Sequence, residues 1–151
     1  MAARAYVSLL RHLSFDRLAA IPYAGLPIGT AVALETGASL IYPRKEIKDY
    51  GTRQAVEGAF QPGETVAVID DLITTGGSKL AAIKPLEAAG LKVRDIVVLL
   101  DREQGGREEL AEHGYRLHAA LTLSQLLSVL RQQGRITEAQ KAAVEALLHK
   151  E

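Results

Sequence analysis

Thr-Val-Ala-Val-Ile-Asp-Asp-Leu-Ile-Thr-Thr-Gly-Gly-Ser, residues 65–78, is the stretch of this sequence that decides the fold. Its apolar, β-branched first half predicts a buried strand over 65–70, and its second half predicts a turn that leads into a helix. Hydroxyl and backbone N–H groups at a helix N-terminus favour a phosphate, whereas the carboxylates of Asp70 and Asp71 favour hydroxyl groups or a cation. A phosphorylated sugar with bound magnesium satisfies both requirements.

Two other interpretations of this stretch fit part of the pattern. A buried strand whose polar end only caps a loop would look similar up to Asp71. A strand that holds magnesium for a nucleotide would also end in aspartates, but it needs a phosphate-binding loop upstream. The sequence contains neither G-x-x-x-x-G-K-[ST] nor G-x-G-x-x-G, which makes a nucleoside triphosphate a poorer fit.

Helices and strands alternate along the rest of the chain. The patterns predict helices over 3–13, 26–35 and 77–89, and strands over 17–21, 39–42, 56–60, 93–100 and 115–121. Thr122 with Gln125 and Thr137 with Gln140 predict capping boxes for two final helices, and Pro85 predicts a kink without a break. The result is an α/β fold in one domain over 1–151, with turns at 22–25, 70–78 and 101–106 on the sheet edge where ligands bind.

The composition is that of an ordinary globular protein with 48% hydrophobic residues, no cysteine and a formal net charge of zero. The balanced charge argues against nonspecific nucleic-acid binding and against a basic membrane-binding surface. No apolar run approaches the roughly 18 residues of a membrane span. We therefore expect a cytoplasmic enzyme domain with a small-molecule site and neither a nucleic-acid nor a membrane partner.

Charged side chains of both signs fill the stretch 43–58. One interpretation is a solvated surface loop or hairpin. The other is a lid whose cations meet negative charge that develops on a leaving group, while its closure excludes water.

Four stretches carry a resemblance to a known family. They are residues 65–78, Tyr-Pro-Arg-Lys-Glu-Ile-Lys-Asp-Tyr-Gly-Thr-Arg at 42–53, Leu-Leu-Asp-Arg-Glu-Gln-Gly-Gly at 99–106 and His-Gly-Tyr-Arg-Leu-His at 113–118. Together they resemble the type I phosphoribosyltransferases and, within them, orotate phosphoribosyltransferase. The similarity is greatest to the transferase domain of the two-domain uridine monophosphate synthases, and it extends from about residue 15 to residue 133.

The resemblance implies a type I phosphoribosyltransferase fold, an open and mainly parallel sheet flanked by helices. It implies magnesium-dependent transfer of phosphoribosyl from phosphoribosyl diphosphate to orotate, giving orotidine monophosphate and diphosphate in pyrimidine biosynthesis. It also implies a homodimer and a possible association with orotidine monophosphate decarboxylase. Family members carry a hood segment over orotate ahead of the region that begins here, and we expect this segment to be missing. The alternatives are a non-catalytic or regulatory domain that binds phosphoribosyl diphosphate, or a transferase for another base.

The same resemblance assigns residues to roles. Lys48 and Asp71 are the predicted catalytic residues, and Thr74 and Arg102 are predicted to bind orotate. Arg102 could otherwise be an ordinary salt-bridge partner or solvated cation. Predicted contacts to phosphoribosyl diphosphate are Tyr23, Arg44, Lys45, Lys48, Tyr50, Asp70, Asp71, Leu72, Ile73, Thr74, Thr75, Gly76, Gly77 and Ser78. Magnesium is expected to be held through the substrate, with no direct protein ligand.

Two positions depart from the family pattern. Ala24 stands where stand-alone bacterial enzymes commonly have lysine, and Tyr50 stands where they commonly have histidine. His113 and His118 are interpreted as structural, because neither has a nucleophile or a metal-ligand partner at useful spacing.

Overall fold

A six-stranded sheet forms the centre of the computed structural model, which describes residues 2–45 and 55–148. The strand order is β3-β2-β1-β4-β5-β6. The strands are β1 (Arg17–Ala20), β2 (Leu40–Pro43), β3 (Val56–Glu57), β4 (Thr65–Ile73), β5 (Lys92–Asp101) and β6 (Arg116–Thr122). The helices are α1 (Ala2–Leu10), α2 (Gly25–Thr36), α3 (Gly77–Ala88), α4 (Gly106–Glu112), α5 (Leu123–Gln132) and α6 (Glu138–Leu148).

All the strand pairs are parallel except β2 with β3. From β1 the chain moves outward to β2 and then returns to place β4 on the other side of β1. The order therefore reverses between β1 and β4, and in open parallel sheets ligands bind beyond the carboxyl ends of the strands at such a reversal. The predicted α/β fold with a mainly parallel sheet is confirmed.

Helices cover both faces of the sheet. Alternate residues of β4 serve the two faces: Val66 and Val68 lie in the core under α3 and α4, and Ala67 and Ile69 lie in the core under α1 and α2. Burial on both faces explains why β4 and β5 are continuous apolar runs rather than alternating ones. These two strands carry the most extended pairing in the sheet.

Several local predictions are confirmed. Thr122 and Gln125 form a complete capping box at α5. Gln140 donates its backbone N–H to Thr137 Oγ1, and the Thr137 N–H reaches Gln140 Oε1, before α6. Helix α3 continues through Pro85 without a break.

Three elements differ from the prediction. β4 extends to Ile73, because Leu72 and Ile73 pair with Leu100 and Asp101 of β5. β3 covers only Val56–Glu57 of the predicted 56–60 strand, and Gly58 follows with a positive φ of 105°. Helix α4 was not predicted; its seven residues are too few for a periodic apolar pattern.

Gly106, the first residue of α4, lies against the end of β4. A Cβ at this position would meet Thr74 O at 2.4 Å and Ile73 Cγ1 at 2.7 Å. We expect Gly106→Ala to lower the free energy of unfolding by about 1–3 kcal/mol, because the two segments must move apart. Urea denaturation measures the change.

Gly77→Ala is the matched control, since no atom lies within 4 Å of a Cβ there. Equal unfolding free energies for the two variants would contradict close packing of α4 against the residues that follow β4.

Candidate active site

Asp70 and Asp71 lie on β4 itself, not in the turn that follows it. Asp70 is 6% exposed. Its Oδ1 accepts the N–H of Asp71 at 2.9 Å, and its Oδ2 lies 2.6 Å from Lys79 Nζ. Asp71 is partly exposed and its Oδ1 accepts the N–H of Leu72. Of the two acids, Asp71 is the one that solvent reaches more readily.

Lys79 lies in the first turn of α3 and is 5% exposed. Its ammonium contacts Asp70 Oδ2 and, at 3.4 Å, Ser78 Oγ. Burial raises the pKa of Asp70, while the hydrogen bond and the charge of Lys79 act in the opposite direction. The predicted contact with a ribose hydroxyl would therefore have to reach a carboxylate that is almost completely buried and already paired.

Tyr6 fixes the same strand end from the opposite face. Its hydroxyl donates to the carbonyl oxygen of Asp70 at 2.8 Å, and its side chain is fully buried. Burial is the main cause of the raised pKa of Tyr6, and the charges of Asp71 and Asp70 add to it. The phenol therefore stays protonated and keeps its donor.

The residues after β4 form the predicted turn and helix start. Gly76 has a φ of 88° and its Cβ position is 3.2 Å from Glu109 Cγ of α4, so a side chain would be strained there. Gly77 and Ser78 begin α3, where backbone N–H groups have no acceptor within the helix. Thr75, Gly77 and Ser78 are exposed and Thr74 is partly exposed. These donors are available to an anion.

A cleft of about 350 Å³ lies between α3, the turn after β1 and the end of β2. Ser78, Arg44 and Lys45 contribute polar groups to its wall. Lys45 Nζ lies 4.8 Å from the ring centroid of Tyr23, which follows Pro22 in that turn. The cleft thus brings two predicted diphosphate-binding cations to the side of the turn that begins α3.

Arg44 already has an acidic partner. Its guanidinium forms an ion pair with Glu57 of β3, and both side chains are partly exposed. An anion in the cleft must compete with Glu57 for this arginine.

Arg102 follows β5 on the same sheet edge. Its backbone N–H donates to Ile73 O at 3.0 Å, which ties this loop to the end of β4. The side chain is exposed, and within residues 2–45 and 55–148 no acid pairs with its guanidinium. Arg102 is therefore available to an acidic or carbonyl-bearing ligand.

The sheet edge gathers most of the predicted site residues: those of β4 and the turn after it, Tyr23, Arg44, Lys45 and Arg102. Leu72 is partly exposed and Ile73 is fully buried in the core. Lys48 and Tyr50 lie outside the described residues. His118 pairs with Asp95 at 2.8 Å in the first half of β5, away from this edge, and His113 Nδ1 lies 2.9 Å from Glu109 O.

Within the described residues, no three His, Asp or Glu side chains converge so as to hold a metal ion. In the same part of the chain, no helix has the length and apolarity needed to cross a membrane.

A family model decides the classification. The model for the phosphoribosyl transferase domain matches residues 2–116. The chain belongs to this family. The matched range contains β4, the turn after it and the Arg102 loop, which together carry most of the candidate site.

The chain is also similar to individual proteins and to a solved structure. A bifunctional enzyme PyrF/PyrE of Nostoc is 48% identical over 93% of this chain, which covers 30% of that protein. An orotate phosphoribosyltransferase of Halobacterium salinarum is 43% identical over 73% of this chain, which covers 63% of that protein. The structure of Leishmania donovani UMP synthase superposes with a TM-score of 0.90 at 45% identity, over 97% of this chain and 32% of that one. The chain spans less than two thirds of each relative.

The sequence did not predict the ion pairs that Lys79 forms with Asp70 and that Glu57 forms with Arg44. Lys79, Ile83 and Leu86 recur at helical spacing and are all buried. A lysine on the apolar stripe of a helix signals a buried acidic partner, because an unpaired buried ammonium is costly. The pairing of Arg44 with Glu57 has no comparable local signal, since the two residues meet only when β3 pairs with β2.

Competition at Arg44 gives a prediction. Glu57→Gln removes the carboxylate but keeps the shape of the side chain, so Arg44 becomes free for an anion. We expect the affinity for inorganic pyrophosphate to rise about two- to fivefold, in keeping with a partly exposed ion pair. Calorimetric titration measures it.

Glu64→Gln is the control, because Glu64 pairs with Arg17 at the start of β1, on the opposite sheet edge. Weaker pyrophosphate binding by Glu57→Gln than by this control would contradict the competition.

Proposed function

We propose that this chain carries out orotate phosphoribosyl transfer. Phosphoribosyl diphosphate would lose diphosphate from its anomeric carbon as a ring nitrogen of orotate bonds to that carbon, giving orotidine monophosphate. The observation that carries the proposal is the turn of residues 74–78, in which Thr75, Gly77 and Ser78 are exposed, at the reversal of strand order. Relatives named orotate phosphoribosyltransferase at 43% and 36% identity support the choice of base.

The turn would hold the phosphate monoester of the substrate. Its free N–H groups, its hydroxyl groups and the dipole of the 12-residue helix α3 all favour an anion. Asp71 is the acid best exposed to accept hydrogen bonds from the ribose hydroxyls, and it keeps its place because β4 is paired with β5 on one side.

Cations at the cleft would receive the leaving diphosphate. Arg44 and Lys45 line the cleft, and Lys48 is proposed as the catalytic lysine from its match to the family motif. Positive charge placed where negative charge develops lowers the barrier more than charge that only binds the ground state. Magnesium is proposed to arrive with the diphosphate and to neutralise part of its charge.

Arg102 and Thr74 would recognise orotate. The base carries a carboxylate and ring carbonyls, which a planar guanidinium can meet with two parallel hydrogen bonds. The hydrogen bond from the Arg102 N–H to Ile73 O keeps this loop beside the turn. It would therefore fix the proposed base site relative to the proposed sugar site.

A homodimer and an association with orotidine monophosphate decarboxylase belong to the same proposal. In a two-fold dimer, the partner would supply a surface against which the charged segment 43–58 could close. The names of the bifunctional Nostoc enzyme and of the Leishmania donovani UMP synthase support the link to the decarboxylase.

The test follows formation of orotidine monophosphate from orotate and phosphoribosyl diphosphate with magnesium. We expect activity from the wild-type chain, and we expect Arg102→Ala to raise KM for orotate by about tenfold or more, since a charged hydrogen-bond pair is lost. KM for phosphoribosyl diphosphate should change much less.

Arg94→Ala is the control, because Arg94 is an exposed arginine at the opposite end of β5. Binding of phosphoribosyl diphosphate without any transfer would favour a regulatory domain. Equal activity with another base would contradict the assignment to orotate.

A further inference from the structure

The buried ammonium of Lys79 bridges two parts of the candidate site. It lies 2.6 Å from Asp70 Oδ2 and 3.4 Å from Ser78 Oγ. Asp70 points toward α3, while Ser78 lines the cleft. One cation therefore stands between a buried carboxylate and the first turn of the helix that is proposed to bind phosphate.

Each carboxylate oxygen of Asp70 already has a partner in the protein. Oδ1 accepts the N–H of Asp71 and Oδ2 accepts from Lys79. The position of Oδ1 also depends on Gly25 of α2, whose Cβ would lie 3.3 Å away. Without Lys79, Asp70 would carry an uncompensated negative charge wherever the pH exceeds its pKa, and that charge would repel a phosphate at the turn.

The contact with Lys79 also orients the hydroxyl group of Ser78. An ammonium group can only donate, so it occupies a lone pair of Ser78 Oγ and leaves the hydroxyl proton free. Because Ser78 is exposed on the cleft wall, this proton can be donated to a ligand oxygen.

We propose that Lys79 is a positioning residue for the phosphate monoester of the substrate: it cancels the charge of Asp70 and leaves Asp71 as the acid that meets the ribose. This inference rests on the proposed function. Lys79 touches no substrate atom in this arrangement and acts through Asp70 and Ser78. The ligand class is a sugar 5-phosphate.

The experiment compares two probes by calorimetry, ribose 5-phosphate and inorganic pyrophosphate, the second being expected at Arg44 and Lys45. Lys79→Met keeps the length of the side chain and removes its charge. We expect it to weaken ribose 5-phosphate binding about tenfold or more, as repulsion from unpaired Asp70 requires. Pyrophosphate binding should change less than about threefold.

The double variant Asp70→Asn with Lys79→Met removes both charges and should recover ribose 5-phosphate affinity to within about threefold of wild type. Lys84→Met is the control, because Lys84 is an exposed lysine on the same helix. If Lys79→Met does not fold, the ribose 5-phosphate affinity of the double variant, compared with that of wild type, tests the proposal.

Three results would overturn the inference: unchanged ribose 5-phosphate binding by Lys79→Met, equal loss of both probes, or a folded double variant that fails to bind ribose 5-phosphate. A wild-type chain that binds neither probe would instead contradict the proposed function, and the inference would fall with it.

Discussion

The ion pair between Asp70 and Lys79 is the contact on which the candidate site depends. The side-chain carboxylate of Asp70 pairs with Lys79 of α3. The backbone carbonyl oxygen of Asp70 accepts a hydrogen bond from the Tyr6 hydroxyl of α1, on the other face of the sheet. Breaking one partner of a buried pair typically costs about 3–5 kcal/mol, because the remaining charge is left uncompensated. The end of β4 is thus fixed from both faces of the sheet. The same contacts hold Asp71 and the following turn in place.

Strand order then brings distant segments to this point. Because β1 lies between β2 and β4, the turn after β1 and the cations after β2 lie on one side of the turn at residues 74–78. β5 lies on the other side and places Arg102 there, held by its N–H to Ile73 O. Segments that are far apart in sequence therefore lie side by side at this edge, as the proposed transfer between two substrates requires.

Patterns of local origin were predictable, and contacts of tertiary origin were not. The apolar strand β5 and the capping box of Thr122 and Gln125 depend only on residues that are close in sequence, and the structure contains both. The extension of β4 to Ile73 depends on pairing with β5, so residues predicted in a turn belong to a strand. The pairing of Arg44 with Glu57 was missed for the same reason, whereas the burial of Lys79 could have been inferred from its place on the apolar stripe of α3. The residue roles at the site stay predictions, among them those of Lys48 and Tyr50.

The most direct measurement of the central claim is a titration of ¹⁵N-labelled chain with ribose 5-phosphate, followed by amide NMR shifts. Phosphate bound at the start of α3 would accept hydrogen bonds from the backbone there, so the largest shifts are predicted at Thr75, Gly76, Gly77 and Ser78. Raising the salt concentration should weaken them only modestly, since the backbone donors carry no net charge. Saturable shifts centred on another part of the chain, with these four amides unmoved, would contradict the account.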